Sequence, residues 1–316
     1  MAYPAHSEEE LRQALDAAEK YGGATAAASA LGVNRSTFQA RLDAARARLG
    51  VQFNPDEAWT FEREKRIEVF TGTVVVSSDH HYWPGEPSLA HRALVQVIKQ
   101  VKPRVKVMNG DIFDGATIGR HDPFGWSVRP TVMQELEACQ ERVGEIEQAL
   151  PKGCERYFNV GNHDVRFERN LAGKNPGYAG VKGMRLADHF PGWEFQWSLL
   201  VNPDAHPPTM IKHRFANGGI HGGHNAVMKS GVNTVSGHTH LLSINSWGDY
   251  RGRRYGVQTG TCADLEGPAM EYHENNPSPA CPGFAVLTFD EGQLVHPELC
   301  EVKGGKAWFR GRIVAE

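Results

Sequence analysis

Side chains that can bind metal ions or move protons occur in short groups along this chain. The group Gly161-Asn162-His163-Asp164 places an amide, an imidazole and a carboxylate in succession, directly after the apolar run from Cys154 to Val160. Taken alone, these residues would also fit an ordinary polar turn. Three such side chains cannot all face a hydrophobic core, however, and a turn that leaves a strand suits them better. Open α/β sheets bind their ligands at such strand ends.

Four further groups contain the same residue types. They are Ser77-Ser78-Asp79-His80-His81, Asn109-Gly110-Asp111-Ile112-Phe113-Asp114, His221-Gly222-Gly223-His224 and Ser236-Gly237-His238-Thr239-His240. Carboxylate, imidazole and amide ligands without thiolates suit divalent ions such as Mn²⁺, Fe²⁺ or Zn²⁺. Seven such ligands are too many for one catalytic ion with open positions, but they suffice for two ions that share a bridging ligand. Two such ions can hold the attacking and leaving oxygens of a displacement at phosphorus.

The elements that must position these groups follow from the hydrophobic pattern. Apolar runs predict strands at 73–76, 105–108 and 156–160, each directly before a polar group, and helices from Pro87 to Val101 and from Pro130 to Leu150. Beyond residue 193 the pattern predicts short strands at 194–201, 209–215, 234–235, 243–247, 254–258 and 284–289. Strand–helix units with polar groups at successive strand ends indicate a layered α/β domain.

In chain order the polar groups are Asp-x-His, Gly-Asp-x-x-Asp, Gly-Asn-His-Asp, His-Gly and Gly-His-Thr-His. Over about residues 73–261 this series resembles the calcineurin-like metallophosphoesterase superfamily, motif by motif and in the same order. The resemblance implies an α/β fold of the αββα type, in which helices flank a sandwich of two mixed β-sheets. It also implies hydrolysis of phosphoesters by a metal-activated water.

The resemblance further implies roles for individual residues. The metal ligands would be Asp79, His81 and His240 for the first ion, Asn162, His221 and His238 for the second, and Asp111 as the bridge. His163 would contact the phosphate and protonate the leaving group. Asp114 and Asp164 would orient an imidazole or His163 itself. Mn²⁺ is the favoured ion, with Fe²⁺, Zn²⁺, Co²⁺ and Ni²⁺ as alternatives.

Two features near the predicted site leave alternatives open. Tyr82-Trp83-Pro84-Gly85 follows the first polar group, where many family members place a glycine almost immediately. These aromatic side chains could stack on a base or pack the loop down. The stretch from Glu271 to Pro282 is predicted to be an exposed loop near the site.

The N-terminal residues predict a separate domain of three helices. Ser7 to Glu10 has capping-box spacing and begins a helix that runs to about Tyr21, and two more helices are predicted at 24–31 and 35–49. Residues 24–42 resemble a helix-turn-helix of the Fis type, with core positions at Ala28, Leu31, Val33, Phe38 and Leu42. The predicted organisation is a helix-turn-helix domain at 1–50, a linker at 51–70 and a metallophosphoesterase domain at 71–316.

The third helix carries the residues predicted to contact DNA, which are Arg35, Gln39, Arg41 and Arg46. A small helical cap with solvated arginines is the alternative. Helix-turn-helix motifs usually act as dimers, so a homodimer is compatible with this prediction. The pairing of such a motif with this type of enzyme resembles phage or prophage proteins.

The composition of the chain limits the class of protein to which it can belong. A hydrophobic content of 40% and a net charge of -3 are typical of a globular protein that is not coated in basic residues. No apolar run is long enough to span a bilayer. Five cysteines without a CxxC pair predict reduced thiols in a cytoplasmic protein.

The leading functional prediction is a phosphodiesterase or nuclease acting on DNA. It depends on the arginine-bearing third helix and on Arg120, His121, Arg129 and Arg166 near the motifs. A phosphomonoesterase or small-nucleotide phosphodiesterase with a structural N-terminal domain is an alternative. A DNA-binding scaffold without turnover is a further alternative, although no predicted ligand is missing.

Overall fold

The structure is a computed structural model that describes residues 6–48, 61–119, 122, 126–215, 221–274 and 276–316, without the side chains of 46–48 and 272–273. The chain divides into two compact units, Met1–Thr60 and Phe61–Glu316. The predicted linker at 51–70 falls partly on residues 51–60, which lie outside the described ranges. The predicted domain boundaries therefore stay a prediction.

The first unit contains three helices, α1 (Glu8–Lys20), α2 (Ala24–Ala30) and α3 (Arg35–Arg48). A capping box begins α1, because the Glu10 N–H donates to Ser7 Oγ at 3.2 Å and the Ser7 N–H donates to Glu10 Oε2 at 2.8 Å. At α3, the Ser36 N–H donates to Asn34 Oδ1 at 2.9 Å, so a polar side chain also satisfies this helix start.

Small residues bring the three helices together. The core of this unit consists of Ala14, Ala17, Ala27, Ala28, Phe38 and Leu42. Leu31 and Val33, predicted as core positions, are instead 50% and 38% exposed. They lie at the end of α2 and in the turn before α3, and the alanines of α1 and α2 close the core without them.

The second unit contains the α/β domain. Its strands are β1 (Lys65–Ile67), β2 (Gly72–Ser77), β3 (Val105–Asn109), β4 (Glu155–Asn159), β5 (Glu194–Gln196), β6 (Ser198–Val201), β7 (Thr209–Lys212), β8 (Asn233–Ser236), β9 (Leu242–Asp249), β10 (Gly252–Thr259), β11 (Gly283–Asp290), β12 (Gln293–Leu294), β13 (Glu298–Lys303), β14 (Lys306–Phe309) and β15 (Arg312–Ala315). Its α-helices are α4 (Leu89–Val101), α5 (Val132–Ala149), α6 (Arg166–Lys174) and α7 (Gly222–Ser230).

The strands form two mixed sheets. One has the order β1-β6-β7-β8-β10-β9, and the other has the order β15-β14-β13-β11-β2-β3-β4-β5, with β12 paired to β11. In the larger sheet β2, β3, β4 and β5 are parallel, whereas β11 and the strands beyond it are antiparallel. The parallel strands place the residues that follow Ser77, Asn109 and Asn159 at the same sheet edge.

Alternate side chains of β2 show how the layers pack. Val74 and Val76 belong to the apolar cluster between the two sheets, together with Leu199 and Ile211 of the smaller sheet. Val75 faces the opposite way, into a cluster formed with α4 and α5. Helix α7 packs against β8, β9 and β10. Helices thus flank two stacked mixed sheets, and the fold class predicted from the sequence is confirmed.

Two predicted strands differ from the observed ones. The predicted strand 194–201 is interrupted at Trp197 and divides into β5 and β6, which belong to different sheets. The predicted strand 209–215 ends at Lys212, because its partners β6 and β8 pair with it only over Thr209–Lys212. The second difference changes which histidine follows the strand. In the described part of the chain, no helix is both long and apolar enough to cross a membrane.

Candidate metal centre

Residues from both sheets form the first group of potential metal ligands. Asp79 and His81 follow β2, and His240 follows β8. One potential ligand atom from each of these three residues lies within 4.8 Å of the others. His240 Nε2 is 3.3 Å from Asp79 Oδ1, so this imidazole and this carboxylate are in direct contact.

A second group forms beside the first and consists of Asp111, His213 and His238. His213 Nε2 lies 3.2 Å from Asp111 Oδ2 and 3.3 Å from the amide oxygen of Asn162. The amide oxygen of Asn162 thus adds a fourth potential ligand. Six of the seven predicted ligands therefore lie in or beside the two groups.

The seventh predicted ligand, His221, does not join them, and His213 takes its place. His221 is an exposed residue at the start of α7, nine residues beyond the end of β7. His213 follows Lys212 directly and is buried. The motif predicted His221, whereas the histidine that contacts the second group in the structure is His213, directly after the end of β7. The signal that could have identified His213 is its closeness to a strand end, since it follows β7 by one residue, whereas Asp79, Asp111 and His238 follow their strands by two.

Glycines in the motifs provide the space that these ligands occupy. A Cβ atom at Gly161 would lie 2.2 Å from Asp111 Oδ1, and a Cβ atom at Gly110 would lie 2.4 Å from His213 Nδ1. Any larger residue would displace a ligand. Gly161, in the motif of Asn162, therefore leaves room for the side chain of Asp111, which belongs to a different motif.

Most of the candidate ligands have a left-handed backbone. Positive φ angles of 43–69° occur at Asp79, His81, Asp111, His238 and His240. This conformation is uncommon for residues other than glycine, and it clusters at functional sites, where the surrounding structure compensates for its cost. The turns after the strands therefore orient these side chains in a backbone conformation that is unfavourable for residues other than glycine.

An imidazole faces a carboxylate in both groups. Burial raises the pKa of Asp79, but the neighbouring His240 outweighs burial and lowers it to about 2. Burial lowers the pKa of His213, but the Asp111 carboxylate outweighs burial and raises it to about 10. Both carboxylates are thus ionised at neutral pH, as metal ligands must be.

The donor set fits divalent metal ions. The His81 Nδ1–H donates to Asp114 Oδ1 at 3.2 Å, which leaves the buried Nε2 atom with no hydrogen-bond partner among the described residues. The His213 Nδ1–H donates to the Asn109 carbonyl at 2.8 Å, and its Nε2 faces the second group. Metal-ligating histidines characteristically anchor one ring nitrogen in this way and present the other to the ion.

His163 forms a pair with Asp114 at the edge of the two groups. The His163 Nδ1–H donates to Asp114 Oδ1 at 2.7 Å, and His163 Nε2 is 4.0 Å from Asp111 Oδ2. Burial raises the pKa of Asp114, but hydrogen bonds from His163 and His81 hold it well below its usual range. Asp114 thus contacts two imidazoles, which accounts for the proximity of His81, Asp114 and His163 to one another.

Arg166 is a neighbour of this pair whose contacts the motifs did not reveal. Its Nη1 donates to the Asp114 carbonyl at 2.8 Å, and its Nη2 donates to His163 Nε2 at 3.0 Å. In this arrangement His163 is neutral, with its proton on Nδ1. A guanidinium therefore lies at the nitrogen that would meet a substrate.

Asp164 makes its hydrogen bonds to the backbone of two turns. Its carboxylate accepts hydrogen bonds from four backbone N–H groups, those of Asp111, Ile112, Phe113 and Gly161, at 2.8–3.1 Å. Burial and the nearby Asp111 raise the pKa of Asp164 to about 6. Among the described residues, no hydrogen bond joins Asp164 to an imidazole. It joins the turn after β3 to the turn after β4, because its short side chain reaches the backbone of the first turn.

The two groups open into a cavity of about 680 Å³. His163, Asn162 and His238 lie on its metal-ligating side, and Arg129 and Arg166 line it as well. Glu271, Ser278, Pro279 and Ala280, from the stretch predicted as an exposed loop near the site, are also lining residues. The predicted positions Arg120 and His121 lie outside the described residues.

The residues predicted to contact DNA belong to the first unit. Arg35 is exposed at the start of α3, whereas Gln39 is half-buried and donates to Asp43 Oδ1 at 2.8 Å. Arg41 is half-buried as well, and the side chain of Arg46 lies outside the described part. DNA contact by α3 stays a prediction.

Comparison with known proteins gives distant likenesses. No protein-family model matches the chain. The chain is 24% identical over 274 residues to the Gene 54 protein of Mycobacterium phage L5, across 79% of this chain and 98% of that protein. Among solved structures, it is similar to Vps29 of Chaetomium thermophilum at 10% identity and a TM-score of 0.36, covering 78% of this chain and 97% of that one.

A second solved structure in the comparison is a dimetal phosphatase from Danio rerio. It is 12% identical, with a TM-score of 0.35, and the match covers 74% of this chain and 96% of that one.

Proposed function

We propose that this protein is a metallophosphoesterase that uses two divalent metal ions. The observation that carries the proposal is the convergence of seven oxygen and nitrogen ligands from five strand ends onto two adjacent groups. Asp79, His81 and His240 would hold the first ion, and Asn162, His213 and His238 would hold the second, with Asp111 between them. When bound, the ions would supply Lewis acidity toward a phosphoryl oxygen and lower the pKa of a water molecule.

The residues around the ligands support proton transfer to a leaving group. His163 Nδ1 is fixed on the ionised Asp114 carboxylate, which would stabilise the imidazolium form. His163 Nε2 is then the atom that would deliver a proton to the departing oxygen. Arg166 can donate to Nε2 only while that nitrogen is unprotonated. Once Nε2 carries a proton, the guanidinium is released to contact the phosphate, with Nη1 still on the Asp114 carbonyl.

We further propose that the substrate is a phosphodiester of nucleic acid, with DNA favoured over RNA. The exposed Arg35 on α3 and the two arginines that line the cavity, Arg129 and Arg166, support this substrate. Mn²⁺ is the proposed ion, because carboxylate and imidazole ligands without thiolates suit it. The alternatives are a phosphomonoesterase or small-nucleotide phosphodiesterase whose N-terminal helices are structural, and a DNA-binding scaffold without turnover.

The first test compares hydrolysis of bis-p-nitrophenyl phosphate and p-nitrophenyl phosphate by the wild type and His163→Ala, with Mn²⁺. We expect preference for the diester and a fall in kcat of roughly 10²–10⁴-fold in the variant, because a positioned proton donor contributes about that factor. Metal content measured in parallel should be unchanged, which separates proton transfer from metal loss.

Three other outcomes would change the proposal. Preference for the monoester would replace the phosphodiesterase with a phosphatase. Hydrolysis of small diesters without cleavage of single- or double-stranded DNA would remove DNA as the substrate. Absence of turnover with Mn²⁺, Fe²⁺, Co²⁺ and Zn²⁺ would leave a non-catalytic scaffold.

A further inference from the structure

The two aromatic residues that follow His81 have different environments. Tyr82 is only 6% exposed, its ring stacks on His80 with centroids 4.9 Å apart, and its hydroxyl lies 2.7 Å from His91 Nδ1. Tyr82 therefore packs the loop down. Trp83 is half-buried and lines the cavity beside the metal-ligating residues. Of this pair, Trp83 alone faces the space that a substrate would enter.

The orientation of the Trp83 indole is fixed by the same carboxylate that holds His163. The Trp83 Nε1–H donates to Asp114 Oδ2 at 3.2 Å, while Asp114 Oδ1 accepts from His163 Nδ1 at 2.7 Å. The indole of Trp83 and the imidazole of His163 thus donate to the two oxygens of the same carboxylate. Within the described ranges, no aromatic ring stacks on the indole.

Besides Ala116, the other apolar residues of the cavity come from a different part of the chain. Pro268 and Ala269 begin a short 3-10 helix, and Pro279 and Ala280 precede β11. Together with Trp83 they give one cavity of about 680 Å³ an apolar part in addition to its metal-ligating part. This volume lies within the range of about 300–1,000 Å³ that is usual for small-molecule sites. A phosphate alone would need neither this volume nor these apolar residues.

We infer that Trp83 is the stacking platform of a subsite for an unpaired nucleobase attached to the phosphate at the metal-ligating residues. A planar heterocycle matches an oriented indole, because stacking of a base on an aromatic side chain requires only a free ring face and tolerates any base. A paired base within a duplex could not reach such a platform without leaving its stack. The substrate class is therefore a nucleoside phosphoester or a single-stranded end. This inference rests on the proposed function for the position of the phosphate.

The test measures ligand binding to the Mn²⁺-loaded full-length protein by calorimetry. The ligands are 2′-deoxyadenosine 5′-monophosphate and 2-deoxyribose 5-phosphate, which differ only in the base. We expect the nucleotide to bind roughly 5- to 150-fold more tightly in the wild type, which is the contribution of one stacked base. Trp83→Leu should reduce this ratio to near one, and Trp83→Phe should retain most of it. Trp308→Leu, at a partly exposed tryptophan on β14, is the matched control and should leave the ratio unchanged.

The two variants of Trp83 separate stacking from a structural role. If the indole only positions Asp114, then Trp83→Phe and Trp83→Leu would weaken both ligands equally, because both lose the Nε1–H donor, and the inference would be overturned. A wild-type ratio near one would overturn it as well. Base-dependent binding in a protein that hydrolyses no phosphoester would uphold the subsite and remove the proposed function. Turnover of methyl p-nitrophenyl phosphate without base-dependent binding would uphold the proposed function and remove the subsite.

Discussion

At the scale of single residues, Asp114 contacts four side chains that have different proposed roles in the site. Its two carboxylate oxygens accept from His81, His163 and Trp83, and its carbonyl accepts from Arg166. A candidate ligand, the proposed proton donor, the proposed stacking platform and a cation are thus all held by one residue. Because its pKa is held well below the usual range, Asp114 accepts these bonds as a carboxylate over the whole physiological range.

Metal binding should depend on His213 and not on His221. We expect His213→Ala to weaken Mn²⁺ affinity by more than the roughly 10–100-fold that loss of an outer hydrogen-bond partner costs, because a direct ligand is removed. His221→Ala should leave affinity unchanged, because His221 is exposed at the start of α7. Calorimetric titration of Mn²⁺ into metal-free protein measures this without reference to activity. The reverse result would return His221 to the ligand set.

At the scale of elements, α5 supports the turn that carries Asp114. The Gly115 and Ala116 N–H groups donate to the two carboxylate oxygens of Glu135 at 2.7 and 2.9 Å, and Glu135 is fully buried. The long side chain thus connects a helix to the turn after β3. Burial raises the pKa of Glu135 to about 7.

This buried carboxyl makes the stability of the fold depend on pH. The pKa of Glu135 rises from 4.5 to about 7 on folding, so the folded protein holds this proton more tightly between those values. The contribution of Glu135 to the free energy of unfolding is therefore complete below pH 4.5. As the pH rises from 4.5 to 7, the free energy of unfolding falls by about 3 kcal/mol because this contribution is lost. Chemical denaturation across this range should show this loss for the wild type relative to Glu135→Gln.

The control for this experiment is Glu137→Gln, which changes an exposed carboxyl on the same helix. Its stability should follow that of the wild type at every pH. If the difference between the wild type and Glu135→Gln were the same at pH 4.5 and pH 7, then Glu135 would not titrate in this range.

The sequence predicted most elements around the site because their signals are local. The β-branched run Thr73–Val76 and the periodic helix 87–101 correspond to β2 and α4. The division of 194–201 between two sheets and the end of β7 at Lys212 depend on strand partners distant in sequence, which a local pattern does not contain. His213 was missed for that reason. The contacts of Asp164 were missed because backbone N–H groups leave no mark on a sequence.

At the scale of the whole molecule, the arginines of α3 should act separately from the metal centre. We expect Arg35→Gln combined with Arg41→Gln to weaken DNA binding and to reduce the slope of log affinity against log salt by about 2, since each phosphate contact contributes about one. Hydrolysis of bis-p-nitrophenyl phosphate should be unchanged. Fluorescence anisotropy with a labelled DNA duplex at several salt concentrations measures the slope.

Arg12→Gln provides the control, because Arg12 is exposed on α1 and paired with Glu8 at 2.8 Å. Its salt slope should match that of the wild type. Equal slopes for all three proteins would favour a purely structural role for the three helices, and a loss of hydrolysis in the double variant would contradict the separation of functions.

The left-handed backbone at five candidate ligands has a consequence for how such a site can be lost. Each of these residues costs the fold about 1 kcal/mol or more that glycine would not. Substitutions that relieve this cost would therefore be favoured in any lineage that no longer needed the chemistry, and each would remove a ligand. Once the chemistry is no longer selected, gains in stability thus come with the loss of this centre, and an inactive descendant would be the more stable protein.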